Sequence, residues 1–372
     1  MSIKLGSICS FQSGGTPAKG NADYFNGSIP WITTTALNGS QIDEKDAVDW
    51  ITEKAINETA AKIVPAYSIM VGTRVGVGKV AVNTVDMSTS QDIISLLNID
   101  EKTWSKDFLC KFLQGKSSYL NSQARGATIK GIKIDVLANL DVPNIDYERQ
   151  QFISKTIDKV RLVINARRQE LEKLDDLIKA RFVEMFGDPV VNDRGWQKIT
   201  LLESLEAGRT VTYGIVQTGD EFENGTPVFR PIDIASGHVP KREELKKTDP
   251  LISAQYKRTL LKGNELLITV RGSVGETFQT TDEFKGCNVG RNIVPLVADS
   301  NKVLQRFLQE LFAQDAIKNW LKGITKGIAL QGLNMGEFKE MPVIVPPIAM
   351  QRAFVVFAMQ VDKSKVIEKQ AS

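Results

Sequence analysis

The sequence predicts an α+β protein: two similar globular domains separated by long helices that pair as an antiparallel coiled coil, with pseudo-twofold character. Three observations predict it. A heptad seam runs through residues 148–188, with no Gly or Pro before Gly187. Features of residues 1–147 recur after that seam, at an offset of about 196 to 201. A second stretch with the same seam closes the chain at 347–372.

The seam is made of Ile153, Ile157, Val160, Ile164, Leu171, Leu174, Ile178 and Met185, interrupted by Arg167 and Arg181. Gaps of three and four residues place these side chains on one helical face. Gly187 and Pro189 give a C-terminal stop. At ~1.5 Å per residue such a helix spans roughly 58 Å, too long for one small domain to bury, so it reads as a spacer.

The repeat is traced in order. Lys4–Ile8 corresponds to Thr200–Ser204, and Ser13–Pro17 to the looser Ala207–Thr210. Ile29–Ile32 corresponds to Thr226–Phe229, and the polar loops Thr33-Thr34-Thr35 and Arg230-Pro231-Ile232-Asp233 follow. Short apolar β-type runs, Ile69–Val71 and Leu266–Ile268, lead into Arg-bearing glycine turns, Arg74–Gly78 and Arg271–Gly275. Ser90–Ile93 stands opposite Gly290–Ile293. Helical Phe/Leu pairs at 108–113 and 307–312 precede glycine segments at 126–132 and 327–333. Each half then ends on a proline stretch and a Gln-opened helix, at Gln150 and at Gln351. The second helix repeats the seam with Phe354, Ala358 and Val361.

This gives domains at 1–147 and 189–346, a spacer helix at 148–188 and a shorter one at 347–372. Because the second helix stops short, the first helix is expected to leave Leu171, Leu174, Ile178, Phe182, Met185 and Phe186 as a partner-binding seam.

Composition narrows the chemistry. Cys9, Cys110 and Cys287 lie far apart, which argues for a reducing compartment and against disulfides or a zinc cluster. No charged-then-apolar start and no membrane-length apolar run is present, so a cytoplasmic location is expected. His238 is the only histidine, which leaves little room for a catalytic triad or a histidine metal site. Gly72–Lys79 fails as a phosphate loop, with Thr73 and Val80 where Gly and Ser or Thr are required. Asp188-Pro189-Val190-Val191 lacks the aromatic residue of an amino-methyltransferase tetrapeptide. No catalytic residue is assigned, and no metal or cofactor is expected in this chain.

The net charge is only +3, so nucleic-acid binding must come from local patches or be shared with a partner. Basic residues outnumber acidic ones in 102–133 and in 302–326, at equivalent places in the halves. A guanidinium on a glycine turn can approach a phosphate or a guanine edge closely, which singles out Arg74 and Arg271. Lys79 at the end of the first turn, Arg291 and Asn292 opposite Gln91 and Asp92, and Arg125, Lys130 and Lys326 from the basic stretches join them as candidate DNA contacts. So do Thr16 and Lys19 beside the first glycine loop, Arg209 in its looser counterpart, and Thr33, Thr34, Thr35, Arg230 and Asp233 in the polar loops.

The order of domain, helix, domain, helix resembles the specificity subunit of type I restriction-modification systems over essentially the whole chain. The resemblance rests on the Pro-then-Gln openings at Pro143–Gln150 and Pro346–Gln351 and on the helix end Lys179–Pro189. The loop Gly15–Pro17 and the glycine segments before each helix add to it. It implies a non-catalytic subunit in which each domain reads one half of a split DNA site and the helices act as a ruler. It also implies two docked methyltransferase subunits carrying S-adenosylmethionine, with restriction subunits completing the complex. A ~58 Å helix along B-DNA covers roughly 17 base pairs, room for half-sites about 10 pairs apart between centres. The competing expectation is a structural adaptor whose two domains bind proteins.

Overall fold

The computed structural model describes residues 2–38, 41–126, 130–235, 240–326 and 332–370. His238 and parts of both glycine segments lie outside the described residues, as do the side chains of Lys326 and of 366–370. The chain divides into two compact units, Met1–Val163 and Ile164–Ser372, with the boundary inside the long helix.

The first unit opens with β1 (Ser2–Lys4), β2 (Ser10–Ser13), β3 (Phe25–Ile32), β4 (Gln41–Ile42), β5 (Asp49–Ile51), α1 (Glu53–Glu58) and β6 (Ile63–Val64). It continues through β7 (Ile69–Gly72), β8 (Val80–Asn83), β9 (Met87–Thr89), β10 (Ile93–Leu97), α2 (Lys106–Gly115), α3 (Ser117–Gln123), α4 (Ile134–Ala138) and β11 (Asp141–Pro143). A five-stranded sheet has the order β2-β10-β7-β8-β4 and a four-stranded one β5-β3-β9-β6. β7 is central and all four of its residues are buried, so both faces read as apolar rather than alternating. α2 lays Phe108, Leu109 and Leu113 on the core, and the Ser105 hydroxyl caps it by accepting the N–H of Phe108.

α5 (Tyr147–Phe186) is a single helix of 40 residues, within a residue or two of the stretch the heptads mark. Its start packs on α2, where Lys111 pairs with Asp158 at 2.9 Å and Arg161 donates to Gln114 Oε1 at 2.7 Å.

The second unit repeats the plan with fewer strands: β12 (Gln197–Thr200), β13 (Thr226–Phe229), α6 (Pro231–Ala235), β14 (Lys246–Thr248), α7 (Pro250–Ala254), β15 (Leu266–Thr269) and β16 (Thr277–Gln279). Then follow β17 (Asn288–Val289), β18 (Ile293–Leu296), α8 (Gln305–Ala313), α9 (Asp315–Gly323), β19 (Thr325–Lys326), β20 (Gly332–Leu333), α10 (Met335–Lys339), β21 (Pro342–Val345) and α11 (Ile348–Gln370). The sheets β16-β15-β18 and β14-β13-β17 mirror β8-β7-β10 and β5-β3-β9, down to the parallel β3–β9 and β13–β17 pairs. In each unit the first strand pairs antiparallel with the strand before the helix, β1 with β11 and β12 with β21.

The glutamines that open the helices are the tightest part of the repeat. Gln150 accepts the Ser105 N–H at 2.9 Å and donates to the carbonyls of Thr103 and Ile145 at 3.1 and 2.9 Å. Gln351 accepts the Leu304 N–H at 2.9 Å and donates to those of Lys302 and Pro346 at 3.0 and 2.8 Å. Both are 0% exposed. Each ties the helix start to the turn that begins the packed helix beside it.

Within the second unit α11 runs antiparallel to the end of α5. Phe354 meets Phe182 and Phe186 at ring distances of 5.5 and 5.6 Å, Phe307 joins from α8, and Arg181 stacks over Phe357 at 5.7 Å. Lys365 Nζ pairs with Asp175, further back along α5. This corrects the expected partner seam. Ile178, Phe182 and Phe186 are buried in the chain's own core, with Leu174 and Met185 packed against it and Leu171 half-buried. In an antiparallel pair the start of the second helix lies against the end of the first, so shortness of α11 does not bare residues 174–186. The exposed apolar residues of α5 are instead Phe152, Val160, Leu162, Val163 and Ile164, with Leu177 and Val183.

Candidate nucleic-acid interface

The Arg turns are built the same way in both units. In the first, β7 ends at Gly72, whose N–H donates to Lys79 O at 2.9 Å; the Gly78 N–H returns to Gly72 O at 2.9 Å. Gly76 and Gly78 have φ of +77°, a region that only glycine enters at little cost. Thr73 donates to Asp92 O at 2.8 Å and accepts from Ile132 N–H at 2.8 Å, which fastens the turn to two other segments. Arg125 and Gly131 exchange backbone hydrogen bonds at 2.9 and 3.0 Å. A Cβ on Gly131 would stand 2.9 Å from Arg74 Cγ, so the absent side chain is what lets the Arg74 stem lie there. Arg74, Gln123, Arg125 and Lys133 line an open cleft of about 640 Å³, with Asp135 at one side.

In the second unit Thr269 donates to Glu276 O and Gly275 to Thr269 O, both at 2.9 Å. Val270 donates to Asn292 O at 2.8 Å and accepts from Leu333 N–H at 2.9 Å. Arg271 bridges to Gly332, where a Cβ would stand 3.1 Å from Arg271 Nε. The fold thus joins what lies far apart in sequence: each Arg turn sits against the glycine segment before its helix.

The two turns differ in charge. Arg74 lies 3.8 Å from Asp92, a loose pair at an exposed site, whereas the equivalent Asn292 has its Oδ1 buried without a hydrogen-bond partner. Lys79, exposed at the end of the first turn, is replaced by exposed Glu276 in the second. Arg271 and Arg291 are exposed, and no ion pair holds either among the described residues.

The remaining candidates divide. Thr16, Lys19, Arg125 and Lys130 are on the surface. The Thr33 and Thr35 hydroxyls hydrogen-bond each other at 2.8 Å, but Thr34 is buried and cannot meet a ligand. Arg230 is held bidentately by Asp233 at 3.2 and 2.9 Å; that hydrogen-bonded pairing raises the guanidinium pKa further. Lys326 lies in β19, and its side chain is outside the described residues.

Arg209 is a correction. It reaches Glu206 at 3.6 Å and the buried Glu265 at 3.5 Å, so it balances an interior carboxylate that also accepts the N–H groups of Lys262, Gly263 and Asn264. A buried charge stripped of its partner is costly, and this guanidinium is therefore committed to the fold. The counterpart assigned to the Gly14–Pro17 loop changes with it. Gly15 donates to Thr89 O at 2.9 Å and Ile215 to Val289 O at 2.8 Å, so Gly14-Gly15-Thr16-Pro17 corresponds to Gly214-Ile215-Val216-Gln217. A Cβ on Gly14 or Gly214 would overlap the backbone of β9 or β17, which explains why glycine stands at both places. The cleft also brings in Gln123 and Lys133, which sequence reasoning did not single out; membership of the basic 102–133 stretch was the available signal for Lys133.

Among the described residues no group of His, Cys, Asp and Glu could hold a metal ion, and no helix is long and apolar enough to cross a membrane. The three cysteines are free and buried; burial pushes the Cys9 thiol up to about 12 and those of Cys110 and Cys287 to about 11, so none is a thiolate at neutral pH.

Known proteins share this plan. The chain is 21% identical over 365 residues to the Escherichia coli type I restriction enzyme EcoBI specificity subunit, covering 91% of this chain and 69% of that one. It is 24% identical over 371 residues to the Methanocaldococcus jannaschii MjaIX specificity subunit, covering 92% and 82%. A solved chain from a study of type I restriction-modification complex assembly superposes with a TM-score of 0.56, at 16% identity, over 100% of this chain and 92% of that one. The S subunit of the M. genitalium type I system does so at 0.50, also at 16% identity, over 100% and 91%. The family model of the type I restriction modification DNA specificity domain matches twice, over residues 1–174 and 194–372, one match for each half of the repeat. The chain belongs to the type I restriction-modification specificity-subunit family, whose role is recognition of a DNA sequence.

Proposed function

We propose that this chain reads a bipartite, asymmetric DNA site, one unit to each half-site, and leaves the chemistry to partner subunits. The observation that carries the reading is the doubled Arg turn, seated on a glycine backbone in both units, within a chain the family model matches twice. Duplication supports two half-sites. The differences between the copies, Asp92 against Asn292 and Lys79 against Glu276, support unequal ones.

In this reading Arg74 and Arg271 reach base edges. The cations around them, Lys79, Arg125, Lys130 and Lys133 in the first unit and Arg291 in the second, meet phosphates. Bidentate guanidinium contacts to guanine suit the Arg positions, and phosphate contacts set register. Two methyltransferase subunits would dock on this chain and carry the S-adenosylmethionine, and restriction subunits would complete the assembly. A family role in DNA recognition weighs against a protein-binding adaptor.

The experiment is methylation-site sequencing of DNA from cells that express the chain with its neighbouring methyltransferase subunit. The expected result is a motif of two short defined parts around an undefined gap. Absence of any motif from a demonstrably assembled complex would defeat the reading.

A further inference from the structure

The second unit carries a cleft of about 590 Å³ on a different loop pair from the Arg271 turn. One lip is Thr212-Tyr213-Gly214; the other is Gln255-Tyr256-Lys257-Arg258, after α7. Tyr213 is 45% exposed, and Gln255, Lys257 and Arg258 are exposed too. No ion pair holds Lys257 or Arg258 among the described residues.

Strand β17 fixes both lips. The buried amide of Asn288 accepts the Thr259 hydroxyl at 2.7 Å and donates to Ser253 Oγ at 3.1 Å and Tyr256 O at 3.3 Å, which sets the second lip. The next residue, Val289, accepts the Ile215 N–H at 2.8 Å, and its backbone leaves no space for a Cβ on Gly214, which sets the first. The cleft is therefore held open by buried contacts, not by the surface side chains that line it.

The first unit carries other residues at the equivalent positions. The register of β7 against β15 puts Glu58-Thr59-Ala60-Ala61 where the second unit has Gln255-Tyr256-Lys257-Arg258, and the glycine loops put Ser13 where Tyr213 stands. There the Gly15 backbone lies directly on Ala60 and closes the gap. Two hydroxyl-bearing rings, an amide and two cations stand where the first unit has Ser13 and Glu58-Thr59-Ala60-Ala61, with the exposed Lys62 following opposite the buried Thr259.

We infer that this cleft is a clamp for the sugar-phosphate backbone of duplex DNA, present in the second unit alone. Tyr, Thr and Gln side chains with Lys and Arg are the groups that bind phosphate oxygens and sugars. The lining offers no carboxylate that would recognise a cationic or peptide ligand instead. The inference rests on the DNA-reading function above and adds to it: the second unit, with Arg291 alone beside its Arg turn, gains two further backbone-anchoring cations at a place where the first unit has none in the equivalent four residues.

The test uses the full chain, alone and with its methyltransferase subunit, and a 30-base-pair duplex of random sequence as probe. Wild type is compared with the Lys257→Ala/Arg258→Ala double variant and with Tyr213→Phe. At a slope of about 0.9 per phosphate contact, wild type should lose roughly twelvefold more affinity than the double variant between 50 and 200 mM salt. Tyr213→Phe should weaken binding without changing the salt slope. The methylation motif should be the same in all three, because backbone contacts carry no sequence information. An unchanged salt slope in the double variant, with its thermal midpoint intact, overturns the clamp. A relaxed half-motif also overturns it, by showing a base reader. If wild type shows neither DNA binding nor a motif, the DNA-reading function itself has failed, and the clamp with it.

Discussion

Gln150 and Gln351 show how much one side chain can fix. Each makes three hydrogen bonds to backbone groups at the junction of a β-turn, a packed helix and a long helix. Replacing Gln351 by Ala leaves the Leu304 N–H and two carbonyls buried and unpaired, at a cost of about 1–3 kcal/mol for the orphaned donor alone. A drop of several degrees in the thermal midpoint is expected, and a value equal to wild type would mean the pocket rehydrates. Both glutamines were legible in the sequence as openings of the helices, but the N–H groups they accept were not, since these lie 45 and 47 residues away. Arg271 makes the other residue-scale claim. A good bidentate base contact contributes ~1–3 kcal/mol of discrimination. Arg271→Ala should therefore relax one part of the methylation motif and spare the other, and Arg74→Ala should do the reverse. Equal weakening on all sequences would mark either arginine as a phosphate contact instead.

At the scale of elements, the junction of α5, α8 and α11 decides what the long helices do. Phe182, Phe186, Phe307 and Phe354 are all fully buried and meet at ring distances from 5.0 to 6.4 Å. Phe354→Ala should cost about 3–5 kcal/mol, the range for a large aromatic removed from a core, and should free α11 before the sheets melt. Hydrogen exchange along 348–370 would show it as early loss of protection; simultaneous loss over the whole unit would refute the ordering. Charges flank the rings. Arg306 bridges Glu310 and Asp362 at 2.8 Å each, and Lys365 pairs with Asp362 and Asp175. Burial raises the Glu310 pKa, with the Arg306 charge offsetting part of the rise. A carboxyl raised on folding is penalised while ionised, so its penalty is full above the folded pKa and disappears below the unfolded one. The stability gap between Glu310→Gln and wild type should consequently narrow as pH falls into the acid range. The heptad pattern gave away the helix and the repeat gave away its partner. What escaped was the direction of pairing worked through to individual residues: an antiparallel α11 covers Phe182 and Phe186, not Ile153 and Ile157. The looser loops were harder still. Gly208 resembles Gly14 on paper, but only the hydrogen bonds to Thr89 and Val289 reveal Gly214 as its counterpart.

For the whole molecule, the informative fact is that two units share one plan and differ where the surface is polar. Residues common to both, the buried β7 and β15 runs, the glycines against β9 and β17 and the helix-opening glutamines, are those the fold requires. Residues that differ, Asp92 and Asn292, Lys79 and Glu276, the Thr33 loop and the Arg230 turn into α6, are among those the proposed reading assigns to the duplex. On the proposed reading, fold and specificity are carried by separate sets of side chains, which makes the units exchangeable in principle. Replacing residues 1–147 by the corresponding domain of another specificity subunit keeps Gln150 and the packing face of α5, provided the donor supplies its own α2 with a cation opposite Asp158 and a hydrogen-bonding group opposite Arg161. Methylation-site sequencing of such a hybrid should show one part of the motif replaced and the other, with the clamp beside it, unchanged. If both parts changed, the units would be reading the duplex jointly, and the correspondence of one unit to one half-site would be wrong.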